Sequence, residues 1–321
     1  MKKITKIKDN PWLVLSFILK RIARVVPDKI QLSLLHKVYV GKFVDWKNPQ
    51  TFTEKLQWLK IYNRKPEYTT MVDKYAVKDY VASIIGEEYI IPTLGVWDSP
   101  EDIDWDSLPQ KFVLKTTHGG GGNGVWICKD KVTFDKEKCI REIKRSLKSD
   151  LYWAFREWPY KNVPKRIIAE KLMMESFPRK ADKDLTDYKF FCFGGEPKYC
   201  QVIRDRNTKE TIDFYDVQWN HMPFVGLNPM AKNGLNPVAK PLRLEKMLEI
   251  CRTLSNNIPF ARVDLYVIDD KEYFGEITLF PASGMGVFEP EDWGKKLGDL
   301  IEMKGIIQKK SINVNCWIMK N

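Results

Sequence analysis

The stretch KFVLKTTHGGGGNGVWI, Lys111 to Ile127, sets four consecutive glycines between two strand-like apolar runs and shortly after a lysine. Such a run serves either as a hinge or as a loop whose free N–H groups close over phosphates, and the residues alone leave both readings open. A P-loop carries its lysine after the glycines, whereas Lys115 precedes them. A Rossmann loop opens a helix, whereas this one runs into the strand-like VWICK. The two commonest phosphate-binding α/β folds are therefore disfavoured.

Outward from the glycines, residues 1 to about 85 carry apolar residues at helical spacing, in PWLVLSFILKRIARVV and IQLSLLHKVYVGKF. In NPQTFTEKLQWLKIYN, Thr53 is the N-cap candidate for a further helix. DKYAVKDYVASIIGEEYIIPTLGVW reads as a helix ending at Gly86 and then a strand. Beyond the glycines follow a charged helix over Asp135 to Ser149, the strand KRIIAEKLM, and a hairpin from Asp187 to Arg204 turning at GGEP. A helix from about 242 to 257 then leads into the strands FARVDLYVI and EYFGEITLF. Mixed helices and prominent hairpins predict an α+β chain with mainly antiparallel sheets, not a βαβ alternation.

The second informative stretch is RVDLYVIDDKEYFGEITLFPASG, Arg262 to Gly284. With a three-residue turn at Asp269, Asp270 and Lys271, Asp264 faces Glu276 and Arg262 faces Thr278, all on one side of the hairpin. A two-residue turn would send the two carboxylates to opposite faces. Facing carboxylates lie about 4.5–5.5 Å apart at Cβ and repel by about 1 kcal/mol in water, or about 4 kcal/mol at an effective dielectric of 20. A divalent cation removes that penalty, and oxygen ligands beside a nucleotide favour Mg²⁺. The competing reading is a solvated strand face whose acids pair with neighbouring lysines. A lysine at a strand end, a loop rich in N–H groups and a separate carboxylate pair are together the parts an ATP site requires.

The 321 residues, 44% hydrophobic and 30% charged, are enough for a large core divided into two or three lobes. Lysine and arginine number 53 against 42 acids, a net charge of +11 that suits nucleotide phosphates, an acidic polysaccharide, an anionic membrane surface or nucleic acid. Much of the excess lies early, at Lys2, Lys3, Lys6, Lys8, Lys20, Arg21, Arg24 and Lys29, where a solvated helix face also accounts for it. Cys128, Cys139, Cys192, Cys200, Cys251 and Cys316 form no CxxC pair, so buried thiols in a reducing cytoplasm are expected. His36, His118 and His221 are too scattered to suggest a metal cluster or triad. The apolar run Trp12 to Leu19 falls short of the roughly 20 residues of a spanning helix. The basic KRIARVVPDK follows it where a signal peptide would place a small-residue cleavage site. A basic helix on a membrane surface stays open.

FVLKTTHGGGGNGVW, RIIAEKLM, DYKFFCFGGEPKY and RVDLY…YFGEITLFPASG, in that order over about residues 111 to 286, resemble the ATP-grasp superfamily. NPQTFTEKLQWLKIYNRKPEYTTMVDKYAVKDYV extends the resemblance to its TupA-like branch, associated with teichuronopeptide and capsular polysaccharide biosynthesis. The resemblance implies an ATP-grasp fold, two α+β lobes with mainly antiparallel sheets gripping ATP. The expected division is a helical region over 1–90, a smaller lobe with the glycine lid over 91–168, and a larger lobe with the metal site over 169–321.

Within that fold Lys115 would touch the nucleotide phosphates, and Gly119, Gly120, Gly121, Gly122 and Gly124 would form the lid. Glu170, Lys171 and Leu172 would lie at the hinge beside adenine, with Glu175 at the ribose and Asp187 on the nucleotide side of the hairpin. Lys189 would reach phosphate or substrate, and Arg262 would stabilise the oxyanion of the reacting carboxylate. Asp264 and Glu276 would hold Mg²⁺, with Thr278 where the family usually carries an asparagine, which puts a second metal ion in doubt.

The implied reaction is ATP-dependent carboxylate–amine ligation through an acyl phosphate, joining an amino acid to an acidic saccharide or saccharide-lipid in capsule biosynthesis. The expected location is the cytoplasm, with peripheral contact at the inner face of the membrane through the basic N-terminal helices. A sugar kinase or a polysaccharide glycosyltransferase could use the same lobes. A basic scaffold for polyanions or membranes is the non-enzymatic alternative, and no nucleic-acid-binding motif accompanies the charge.

Overall fold

A computed structural model describes residues 12–120, 124–174, 186–204, 210–228 and 232–303. Gly121, Gly122 and Glu175 lie outside the described residues.

The chain opens with helices α1 (Trp12–Arg21), α2 (Asp28–Val40), α3 (Phe52–Tyr62), α4 (Glu67–Val72) and α5 (Ala76–Ile85). The cap of α3 is Thr51, not Thr53. Its hydroxyl accepts from the Glu54 amide while Glu54 reaches back to the Thr51 N–H, a capping box. Thr53 lies in the first turn and meets His36 Nε2 at 3.1 Å through its hydroxyl. Helix α5 ends at Gly86 as expected, with φ 110°.

Strands β1 (Thr93–Trp97), β2 (Phe112–Thr116), β3 (Val125–Cys128) and β4 (Ile167–Lys171) form an antiparallel sheet in the order β1-β4-β2-β3. Helix α6 (Lys136–Leu147) covers it with Cys139 and Ile143, packed against Phe112, Leu114, Ile167 and Ala169. A short helix α7 (Leu151–Phe155) follows. The boundary expected between residues 168 and 169 therefore cuts through β4, and this sheet runs on to Lys171.

The second sheet is antiparallel in the order β10-β9-β5-β6-β7, from β5 (Asp187–Phe193), β6 (Glu196–Arg204), β7 (Thr211–Asp216), β9 (Phe260–Ile268) and β10 (Lys271–Thr278). The β5–β6 turn falls on Gly194 and Gly195, both with positive φ (59° and 96°), which glycine adopts without strain. Helix α8 (Leu244–Ser255) packs with Met247, Leu248 and Cys251 on one face of this sheet. Alternation sends Phe191 and Phe260 to the other face, where Phe52 of α3 meets their rings at 6.5 and 5.0 Å. A two-stranded ribbon, β8 (Val225–Gly226) with β11 (Phe288–Glu289), and helix α9 (Asp292–Asp299) complete the described fold. Phe52 packs across the far end of the face that carries Asp264 and Lys189, and leaves the near end to polar groups.

Candidate active site

The β9–β10 hairpin departs from the sequence reading in its turn and agrees with it in its outcome. The turn has two residues, Asp269 and Asp270, with φ 51° and 59°, and Lys271 already pairs with Ile268. That register would put Asp264 and Glu276 on opposite faces. A bulge at Gly275 shifts the pairing by one residue, so that Glu276 lies opposite Asp264 and Thr278 opposite Arg262. Glycine is suited to the bulge because a Cβ there would sit 3.0 Å from the Asp264 carbonyl oxygen and 3.0 Å from the Tyr266 ring.

Arg262 lies between the carboxylates. Its Nε and Nη2 donate to the two oxygens of Asp264 at 2.7 Å each, and Nη2 also donates to Glu276 Oε1 at 2.8 Å and to the Thr278 hydroxyl at 3.0 Å. Lys189, opposite Asp264 on β5, pairs with Asp264 and with Asp187 Oδ2 at 2.7 Å. The acids are thus neutralised by strand neighbours, as the solvated-face reading supposed, but Asp187, Lys189 and Asp264 are all buried. Burial pushes Asp264 up to about 6 against the pull of Arg262 and Lys189. Burial also opposes ionisation of Glu276, but Lys74, Arg262 and Lys189 outweigh it and hold this carboxyl well below its ordinary range. Glu276 remains 39% exposed, the open member of the pair.

A second cluster forms on the smaller sheet. Glu170 lies opposite Val113, which brings it within diagonal reach of Lys115 on the same face. The buried Glu170 carboxylate pairs with Lys115 and, at 2.7 Å, with Lys78. These two lysines outweigh burial and keep it below its ordinary range. Lys115 and Glu170, expected to act at separate parts of a nucleotide, are here joined. Lys171 and Leu172 end β4 and begin the connection toward the second sheet.

The glycine loop leaves β2 through Gly119, whose N–H donates to Thr116 O at 3.2 Å, and returns at Gly124, whose carbonyl accepts from the Thr116 N–H at 2.9 Å. Gly124 has φ 84°, and a Cβ there would fall 2.3 Å from the Thr116 hydroxyl. The Gly119 carbonyl accepts a hydrogen bond from Lys74, which also stands 3.9 Å from Glu276 Oε2.

Lys74 and Lys78 are the residues that sequence reasoning missed. Both belong to DKYAVK, Lys74 in the turn between α4 and α5 and Lys78 in the first turn of α5, and the spacing of four across this helix start turns them to one side. Neither lysine carries a motif of its own. Asp73 steadies the segment by accepting from Arg166 at 2.8 Å, and Arg166 stacks on Tyr75 at 4.7 Å. The helical region thus joins the lid, the Glu170 cluster and the carboxylate hairpin.

The family model described as TupA-like ATPgrasp matches residues 54–302 of this chain. The chain belongs to the TupA-like ATP-grasp family. The fold of that family, two α+β lobes with antiparallel sheets, is the one described above. The match begins in α3, so the matched residues include the segment that supplies Lys74 and Lys78.

Among solved structures, a D-alanine–D-alanine ligase from Bacillus anthracis is similar at 18% identity and a TM-score of 0.45, covering 76% of this chain and 70% of that one. A RimK domain ATP-grasp protein from Sphaerobacter thermophilus is similar at 12% identity and a TM-score of 0.40, covering 75% and 70%. The ATP-grasp ligase PsnB, solved with its minimal precursor, Mg and ADP, is similar at 10% identity and a TM-score of 0.35, covering 71% and 57%. No curated protein matches. Among the described residues no helix is long and apolar enough to cross a membrane.

Proposed function

We propose that this protein is an ATP-dependent, ADP-forming carboxylate–amine ligase that joins an amino acid to an acidic saccharide or saccharide-lipid during capsular polysaccharide biosynthesis. The observation that carries this reading is the hairpin register, which in an ATP-grasp family member sets Asp264 against Glu276 with Arg262 between them. It is supported by the lysines around that pair, Lys74 and Lys189 beside the carboxylates and Lys115 at the end of the strand that leads into the glycine loop.

The substrate carboxylate attacks the γ-phosphorus of ATP, and ADP leaves. The amine then attacks the acyl carbon and phosphate leaves, forming the amide. Both steps concentrate negative charge on oxygens, and fixed cations in a partly buried site stabilise it without reorganising. In this reading Lys115, with Glu170 holding its Nζ, approaches the phosphates. Lys171, Leu172 and Glu175 line the adenosine side, and Gly119 to Gly122 and Gly124 close over the phosphates. Lys189, held by Asp187, meets phosphate or substrate, and Arg262 faces the oxyanion of the activated carboxylate.

Asp264, Glu276 and Thr278 supply only oxygen donors, and the exposed Glu276 can offer one without unfolding the hairpin, so the set fits Mg²⁺. Bound there, Mg²⁺ would neutralise charge on the phosphate oxygens. The net positive charge of the chain suits an acidic acceptor and a location at the inner face of the membrane.

The test is a nucleotide-release screen of uronic acids paired with amino acids, with mass spectrometry of the product. ADP and phosphate release that requires both partners, and is lost in Asp264→Asn and Glu276→Gln, is the expected result. UDP release from a nucleotide sugar in the absence of ATP would overturn it.

A further inference from the structure

Helix α1 and the turn that continues it through Val25, with Ile22 N–H donating to Ile18 O and Val25 N–H to Ile22 O, are apolar on two sides. Leu15, Leu19 and Ala23 turn inward, with the two leucines packed against Leu32, Leu35 and Phe155, and this accounts for the docking of the helix. The outward positions of such a helix are normally polar. Here Ile18, Ile22 and Val25 follow at spacings of four and three and are 48%, 44% and 81% exposed, with Ile30 at 53% nearby on α2. Arg21, Arg24 and Lys29 are exposed among them.

Residues 1–27 hold seven lysines and arginines against one acid, Asp9. The nearest acid on α2, Asp28, is turned onto Arg64 and Arg156 at 2.5 and 3.2 Å. No opposing charge screens this face among the described residues of α1 and the turn after it.

We propose that this face docks on the surface of an anionic lipid bilayer, with Ile18, Ile22 and Val25 entering the headgroup boundary and Arg21 and Arg24 meeting lipid phosphates. Aliphatic tips set among basic side chains are the composition of an interfacial helix. Val25 at 81% exposure is a protrusion, which a deformable bilayer accommodates without the concave pocket a folded protein partner would need. The proposal is independent of the ligase reading, because none of these residues belongs to the nucleotide cluster.

The experiment is co-sedimentation of the full chain with vesicles of phosphatidylcholine alone or mixed with phosphatidylglycerol, at low and high salt, with ATP binding measured on the same preparations. Binding to the mixed vesicles alone, weakened by salt, is expected. Ile22→Glu/Val25→Glu and Arg21→Glu/Arg24→Glu should each weaken it by about tenfold or more, from the loss of apolar insertion or of about 1 kcal/mol per basic side chain. Thermal melting and ATP binding should stay at wild-type levels. Wild-type protein left in the supernatant with mixed vesicles, equal binding to both vesicle types, or variants that sediment as wild type would each overturn the proposal. Loss of ATP binding in wild-type protein that still sediments would count against the ligase reading alone.

Discussion

At the residue scale, Gly275 decides whether the two acids face one another. The turn at Asp269–Asp270 and the bulge at Gly275 compensate, so removing one residue of the bulge leaves a regular hairpin with Asp264 and Glu276 on opposite faces. Deleting Gly275 should therefore abolish Mg²⁺-dependent nucleotide binding, read by calorimetric titration, while far-ultraviolet circular dichroism keeps the strand signal. Gly275→Val should be milder, destabilising by about 1–3 kcal/mol through contact with the Asp264 carbonyl and the Tyr266 ring. Glu276 adds a pH dependence. Its folded-state pKa is lowered by Lys74, Arg262 and Lys189, so its contribution to stability is fully present above the ordinary value of 4.5 and is lost as pH falls below it. The difference in melting temperature between wild type and Glu276→Gln should shrink as pH falls below 4.5, a range separate from that near 6 in which the facing Asp264 titrates. A difference that grew below pH 4.5 would contradict the cation contacts described.

At the element scale, helix α3 braces the loop that follows the carboxylate strand. Ala282, Ser283 and Gly284 have successive positive φ values of 48°, 53° and 63°, a sequence of left-handed residues that needs outside support. Lys60, fully buried on α3, donates to Ser283 O at 2.7 Å, Phe155 O at 2.9 Å and Gln57 Oε1 at 3.0 Å, and Glu157 accepts from the Ser283 hydroxyl at 2.7 Å. Lys60→Met would strand these acceptors and leave Glu157 without a nearby cation, a loss of about 3–5 kcal/mol. Urea unfolding should show it, together with faster hydrogen exchange over 281–285. The elements themselves were legible where local chemistry is unambiguous: DYKFFCF-GG-EPKYCQVIR announces its turn with two glycines. The β9–β10 turn was misread because Asp-Asp carries a weaker signal and the compensating bulge is a single glycine within a strand. The α3 cap was displaced from Thr53 to Thr51 because the partner of a capping box, Glu54, lies three residues after Thr51.

Across the whole molecule, the cations Lys74, Lys78, Lys115, Lys189 and Arg262 meet the acids Glu170, Asp187, Asp264 and Glu276, so the candidate site carries little of the chain's +11. Sequence motifs located the strands that bear most of these groups. They did not reveal that the helical region supplies two of the cations, because a lysine gains meaning only from what the fold sets against it. Lys74 is the clearest case, since it bonds the glycine loop at Gly119 and faces Glu276 on the other sheet. Nucleotide entering between them would exchange the Gly119 contact for a phosphate oxygen, a charge-assisted hydrogen bond of about 1.5–3 kcal/mol. Lys74→Met should then raise the Kd for ATP by about tenfold to a hundredfold, while Lys74→Arg retains part of the affinity. Lys78→Met, which strips one cation from the buried Glu170, should instead lower the melting temperature first. Were the helical region a separate unit docked beside the lobes, Lys74→Met would leave ATP affinity at the wild-type value, and equilibrium titration with a fluorescent ATP analogue separates the two cases.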